Sequence, residues 1–144
     1  MRIRAAAAAA ALLVLTACQS ATGAGTSPSA AASASTPPTV TCGTATTHVR
    51  LVAKDIAFST SCIAVPANAP FTIAFRNEDA SVMHDVHIFS ANPTEDPNAS
   101  SLFQGSLLTG PATTTYHVPA LPAGTYFFEC DVHPQQMFGR LIAR

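Results

Sequence analysis

The last twenty residues of the chain, Gly124 to Ala143, read GTYFFECDVHPQQMFGRLIA. Two runs of strand-formers, Tyr126-Phe127-Phe128 and Phe138-Gly139-Arg140-Leu141-Ile142, flank one tight loop that carries Cys130, His133 and Met137. Side chains alternate along a strand, so Tyr126, Phe128 and Cys130 point one way and Phe127 and Glu129 the other. Cys130 therefore leaves the sheet on its core side. Beyond the loop, Met137, Gly139, Leu141 and Ala143 share a face, and Gly139 lets the backbone pass close to another strand.

A buried cysteine alone is a small hydrophobe. That account leaves His133 and Met137 unexplained in a loop otherwise spent on hydrophilic turn residues. A thiolate, an imidazole and a thioether form a soft ligand set. One more imidazole completes the His2Cys site with a weak axial Met that suits copper cycling between Cu(I) and Cu(II). The stretch from Phe75 to Phe89 offers it. His84 sits at a turn-to-strand junction, where a side chain leans over the end of a sheet. His87, inside the strand, reads as an exposed strand histidine, and so do His48 and His117.

The rest of the chain from about Thr41 is short β segments separated by turn residues. His48 to Ala53 alternates with period two, and Cys62-Ile63-Ala64-Val65 runs into a turn at Pro66 and Asn68. Pro70 opens Phe71-Thr72-Ile73-Ala74-Phe75, whose Phe71, Ile73 and Phe75 share one face. Asp85 to Phe89, Leu102 to Leu108 and Thr113 to Val118 read as further strands, and Ser90 to Ser101 as a loop with one helical turn. No stretch keeps helical periodicity over three turns. These features predict an all-β, Greek-key β-sandwich of seven to eight strands over 41–144, as two packed antiparallel sheets.

Before this domain, residues 1–17 read as a signal peptide. Arg2 and Arg4 precede an apolar stretch from Ala5 to Leu15 that is too short to span a bilayer. It ends Leu15-Thr16-Ala17-Cys18, which resembles a bacterial lipobox, so Cys18 is expected to be the lipidated N-terminus. Residues 18–40 then form an Ala/Ser/Thr/Pro linker without a charged side chain, expected to be a disordered tether with a reach of about 25 Å. Without the leader the chain has five basic and eight acidic side chains, a net charge of −3. That balance argues for no nucleic-acid partner, and for contact with the membrane through the lipid anchor only.

Four cysteines remain to be assigned. With Cys18 lipidated and Cys130 a ligand, Cys42 and Cys62 are left, and an exported chain in an oxidising compartment pairs them. Closing that interval stabilises the fold by about 3 kcal/mol in the chain-entropy model.

From about Val49 onward the chain resembles the cupredoxin family, in its plastocyanin-like group. The resemblance rests on Asn77…His84-Asp85-Val86 followed by Gly124-Thr125-Tyr126-Phe127-Phe128-Glu129-Cys130-Asp131-Val132-His133…Met137-Phe138-Gly139. It implies a mononuclear type 1 copper site with His84, Cys130 and His133 as strong ligands and Met137 as the axial one. It also implies a redox partner docking near His133, through an apolar patch drawn from Val82, Met83, Pro134 and Phe138, with the protein itself a monomer. Three positions depart from the family pattern. Asp85 stands where an Asn usually follows the first His, and its charge favours Cu(II). Glu129 stands where plastocyanins commonly carry an exposed Tyr on a remote electron path. The three residues between His133 and Met137 fall between the amicyanin and plastocyanin spacings.

Electron transfer by a lipid-anchored protein on the extracytoplasmic face of a bacterial cell membrane is the expected function. Copper scavenging or delivery without redox work is the alternative, since the same donors hold Cu(I) well. An enzyme needs a second metal or a base beside an open position. The sequence offers neither a CxxxC nor a second histidine cluster, so none is expected.

Overall fold

The computed structural model describes residues 42–144. The leader over 1–17, Cys18 and the linker over 18–40 lie outside the described residues. Eleven strands follow in order: β1 (His48–Lys54), β2 (Ala57–Phe58), β3 (Cys62–Val65), β4 (Phe71–Asn77), β5 (Met83–His84), β6 (His87–Phe89), β7 (Ser101–Gln104), β8 (Leu108–Thr109), β9 (Ala112–Val118), β10 (Gly124–Glu129) and β11 (Phe138–Ala143). Eight of these have three residues or more, and β2, β5 and β8 are two-residue pairings.

One sheet runs β2-β1-β4-β9 and the other β3-β11-β10-β6-β7, with β5 and β8 forming a small ribbon. The alternation seen in the sequence decides which side chains meet between the sheets. Val49, Leu51 and Ala53 of β1, Phe71, Ile73 and Phe75 of β4, and Tyr116 and Val118 of β9 turn inward from the first. Ile63 and Val65 of β3, Ile88 of β6, Phe128 of β10, and Leu141 and Ala143 of β11 turn inward from the second. Phe75 stacks on Tyr116 with ring centroids 5.6 Å apart, and Phe58 fills the space between Phe75 and Phe128. Each fully buried side chain of this size contributes about 2 kcal/mol of transfer free energy, so the core outweighs any single cross-link.

The sheets are mixed, where two antiparallel sheets are expected. β1 pairs with β4 in parallel, from His48 opposite Thr72 to Ala53 opposite Asn77, and β3 pairs with β11 in parallel. After β1 and β2 the chain crosses to the other sheet for β3 before β4 returns beside β1. Two such crossings restore the strand's direction. Of the expected strands, Leu102 to Leu108 is divided, and Asp85 to Phe89 begins only at His87, after a separate β5 over Met83–His84. Between β7 and β8 the chain turns at Gly105, whose N–H reaches Val86 O at 2.9 Å. A Cβ on Gly105 would lie 2.8 Å from the Tyr116 ring. Between β5 and β6 it breaks at Asp85 and Val86, both buried.

Cys42 and Cys62 form a disulfide with Cα atoms 5.1 Å apart. Beside it, Arg144 Nη2 donates to Gly43 O at 2.9 Å, tying the first described residues to the last strand.

Candidate metal centre

Two loops at one end of the sandwich bring three of the four predicted donors, His84, Cys130 and His133, together. The loop from Cys130 to Met137 is closed by its own backbone. Cys130 N–H donates to Met137 O at 2.9 Å, His133 N–H to Cys130 O at 3.0 Å, and Met137 N–H to His133 O at 2.9 Å. The three residues between His133 and Met137 are what an i to i+4 bond needs, and the last of these bonds is one. β11 then starts against β10 with Glu129 opposite Phe138. Gly139 is required there, because a Cβ would lie 2.6 Å from both the Phe128 ring and Ser61 O.

The second loop runs from Asn77 to His84. Asn77, fully buried, ties that loop to β8. Its Nδ2 donates to Val82 O and Leu108 O, both at 2.8 Å, and its Oδ1 accepts from Asp79 N–H at 2.9 Å. Gly110 closes over the same loop, where a Cβ would lie 2.5 Å from Asp79 O.

His84, Cys130 and His133 place their donor atoms within 4.8 Å of one another. Cys130 Sγ lies 3.6 Å from His84 Nδ1 and 3.9 Å from His133 Nδ1. The two imidazole centroids are 4.8 Å apart. His84, Cys130 and Met137 are buried and His133 is half-buried. A thiol and two imidazole nitrogens converging without a carboxylate among them is a donor set for a soft or borderline ion such as copper or zinc. Burial pushes the Cys130 thiol up, and the backbone N–H groups of Asp85, Val132 and His133 pull it back. Those N–H groups stabilise a thiolate, the form that binds metal.

Asp85, named from the sequence, is buried and joins the two loops by accepting Asp131 N–H at 2.9 Å. Burial pushes its carboxyl up, against the Asp131 N–H that holds it down. Asp79 went unnamed in the sequence. Its Oδ2 lies 2.9 Å from His84 Nε2, the ring nitrogen that faces away from Cys130. The backbone N–H groups of Ile56 and Asp55, with His84 behind them, hold the Asp79 carboxyl below the usual range. The only local sign of it is a carboxylate in the turn five residues before His84.

His87 is corrected. It is not an exposed strand histidine but only 8% exposed. Its Nδ1 lies 2.8 Å from Asp131 Oδ1, its Nε2 lies 2.8 Å from Ser101 Oγ, and its ring stacks on Phe89. Because β6 lies between β10 and β7, an outward side chain there is covered by the ligand loop and by Ser101. His87 is not among the converging donors, yet it braces that loop. His48 and His117 are exposed, as expected. Glu129 is buried, and burial followed by the charge of Asp131 pushes its carboxyl up. Next in the chain to His84, His133 and Met137, the residues Met83, Val132 and Phe138 are 47, 43 and 49% exposed, Pro134 after His133 is exposed, and Val82 is half-buried.

A family model described as a cupredoxin-like domain matches residues 5–143. Among solved structures, auracyanin A, a "blue" copper protein from the green thermophilic photosynthetic bacterium Chloroflexus aurantiacus, is 21% identical. Its TM-score is 0.60, and the match covers 67% of this chain and 98% of that one. The dithionite-reduced auracyanin of the photosynthetic bacterium Roseiflexus castenholzii is 18% identical with a TM-score of 0.61, covering 70% and 99%. Auracyanin B is 19% identical with a TM-score of 0.54, covering 72% and 93%. No curated protein sequence matches the chain. At these identities the structural likeness establishes the sandwich fold.

Proposed function

The chain belongs to the cupredoxin-like domain family, and from that premise we propose a type 1 copper electron-transfer protein, lipid-anchored through Cys18 at the extracytoplasmic face of a bacterial membrane. The observation that carries this reading is the convergence of His84 Nδ1, Cys130 Sγ and His133 Nδ1 within 4.8 Å, on two loops already braced by hydrogen bonds. Copper would be held by His84, Cys130 and His133, with Met137 as the axial donor, and would supply one-electron exchange between Cu(I) and Cu(II). The protein's part is to keep those donors in place through both states. Asn77, Asp79 and Asp85 hold the loops from behind, so little rearrangement accompanies a change of charge. We assign no catalytic residue.

Exposed Val132 and Pro134, the chain neighbours of His133, with exposed Met83 next to His84 and Phe138 next to Met137, support docking of a redox partner protein over the His133 imidazole. This arrangement brings the partner to the least buried of the donors. The copper-delivery alternative predicts the same ligands but a different behaviour.

Two measurements on one copper-loaded preparation separate them. An intense visible band with a compressed copper hyperfine splitting establishes the thiolate site, and Cys130→Ala abolishes both. Fast electron self-exchange with slow copper transfer to an apo acceptor supports the carrier of electrons. Slow exchange with ready loss of copper overturns it while leaving the ligands as assigned. For the anchor, Cys18→Ser should release the protein from the membrane fraction, and wild-type protein without acyl chains by mass spectrometry rejects the lipobox reading.

A further inference from the structure

The outer face of the four-stranded sheet carries a second pair of imidazoles. His48 of β1 pairs with Thr72 of β4, and Thr72 pairs with His117 of β9, so the three stand in one row across adjacent strands. The row faces outward because its neighbours Val49, Phe71, Ile73 and Val118 fill the core. Asn77, at the far end of β4, braces the His84 loop, so Thr72 lies about 17 Å along the strand from that end. Two strand spacings put the histidine Cα atoms about 10 Å apart. Two imidazole side chains with metal–nitrogen bonds of about 2 Å span that distance on a single ion.

Thr72 prepares one of them. Its hydroxyl donates to Thr47 O at 3.3 Å, and its oxygen lies 3.2 Å from His48 Nδ1. With the hydroxyl proton committed, Nδ1 carries the ring proton and donates it to Thr72, which leaves the free lone pair on Nε2. An imidazole whose other nitrogen is tied to an oxygen acceptor is the form that serves a metal. A shallow cavity of about 240 Å³ is lined by His48, Thr72 and His117 with Pro70 at its rim. No thiol or carboxylate lines it.

We propose that His48 and His117 form a second site for an imidazole-preferring divalent cation, Cu(II) or Zn(II), separate from the Cys130 centre. Imidazoles without a thiolate place Cu(II) first in affinity among the available divalent ions, with Zn(II) behind it. Arg50, the next outward residue of β1, opposes a cation there and keeps the site weaker than the buried one.

The test is a stepwise Cu(II) titration of the full chain followed by EPR and visible absorption. Copper at Cys130 gives the thiolate band, whereas copper at His48 and His117 adds a signal of ordinary wide hyperfine splitting and no such band. His48→Ala and His117→Ala should each lose the wide signal at the copper concentration that fills it in the wild type. Both should keep the thiolate band, which also reports an intact fold. Thr72→Val keeps the shape, removes the acceptor, and should weaken the second site about tenfold. Absence of the wide signal from the wild type, or its persistence in either histidine variant, overturns the proposal. If Cys130 holds no copper, the wide signal and its loss are still read directly, so the type 1 reading and this site fail separately.

Discussion

His84 Nε2 lies 2.9 Å from Asp79 Oδ2, and the same carboxylate accepts the backbone N–H groups of Asp55 at 2.7 Å and Ile56 at 3.0 Å. The imidazole that faces Cys130 with one nitrogen is therefore anchored to a negative charge with the other. Asp79 is fixed in turn by the β1–β2 turn, in the same sheet as β4, the strand it follows. Such a carboxylate orients the ring, selects its tautomer and makes Nδ1 a stronger donor.

Asp79→Asn should raise the reduction potential of the copper-loaded protein. The amide offers one oxygen where two now serve three donors, and the charge that favours Cu(II) is gone. Partners of this kind are worth about tenfold to a hundredfold in metal affinity. If the oxidised state bears most of that loss, the potential rises by about 60 to 120 mV for a one-electron couple. Cyclic voltammetry beside the wild type checks it, and an unchanged potential denies Asp79 this role.

His84→Ala and His87→Ala should fail in different ways. Loss of His84 removes a donor 3.6 Å from Cys130 Sγ, so the thiolate band should collapse. Loss of His87 leaves Asp131 and Ser101 without their partner, which costs about 2 kcal/mol of stability. The band should survive because His87 is not among the converging donors. Absorption and thermal unfolding on both variants draw the contrast.

Much of this site is local in sequence and some is not. Cys130, His133 and Met137 share one loop, so their ligand chemistry and the flanking strands could be read together. Cys62 to Val65 was legible as a strand because its apolar run is bounded by turn residues. His87 was misread because period-two alternation reports which face a residue takes, not what later covers it. Asp131 and Ser101 arrive from 44 residues downstream and 14 residues downstream. Asp79 was missed for the same reason, since its role depends on Asp55 and Ile56, more than twenty residues earlier. The parallel pairings escaped notice because they follow from the order in which the chain crosses between sheets, which leaves no mark on either strand.

Tyr116 should make the fold sensitive to alkali. Burial, then the charges of Asp85 and Cys130, pushes its phenol up to about 12, and its hydroxyl donates to Ser106 O at 2.6 Å. The folded state keeps a proton that the unfolded chain gives up near pH 10. This contribution is therefore complete below about pH 10 and is lost as pH rises towards 12, amounting to about 2 to 3 kcal/mol. Tyr116→Phe should be less stable at pH 8 by about 1 kcal/mol for the lost hydrogen bond. It should also show a shallower fall between pH 10 and 12. Urea unfolding of both proteins across that range gives the comparison.

Ile56 should be replaceable with a gain. Asp55 and Ile56 join β1 to β2 with φ of 53° and 56°, the paired positive values of a two-residue hairpin turn. A β-branched residue there costs about 1 kcal/mol against glycine. Ile56 is 41% exposed, so its side chain contributes little packing in return. Its N–H holds Asp79, which accounts for the position having to stay in this turn even though the residue is ill suited to it. Ile56→Gly keeps the N–H and should raise Tm by about 4 °C with the potential unchanged. Ile56→Pro removes the N–H and cannot adopt the positive φ. It should lower Tm and shift the potential in the direction of Asp79→Asn. Should Ile56→Pro leave the potential untouched, the link from this turn through Asp79 to His84 is not the one that tunes the centre.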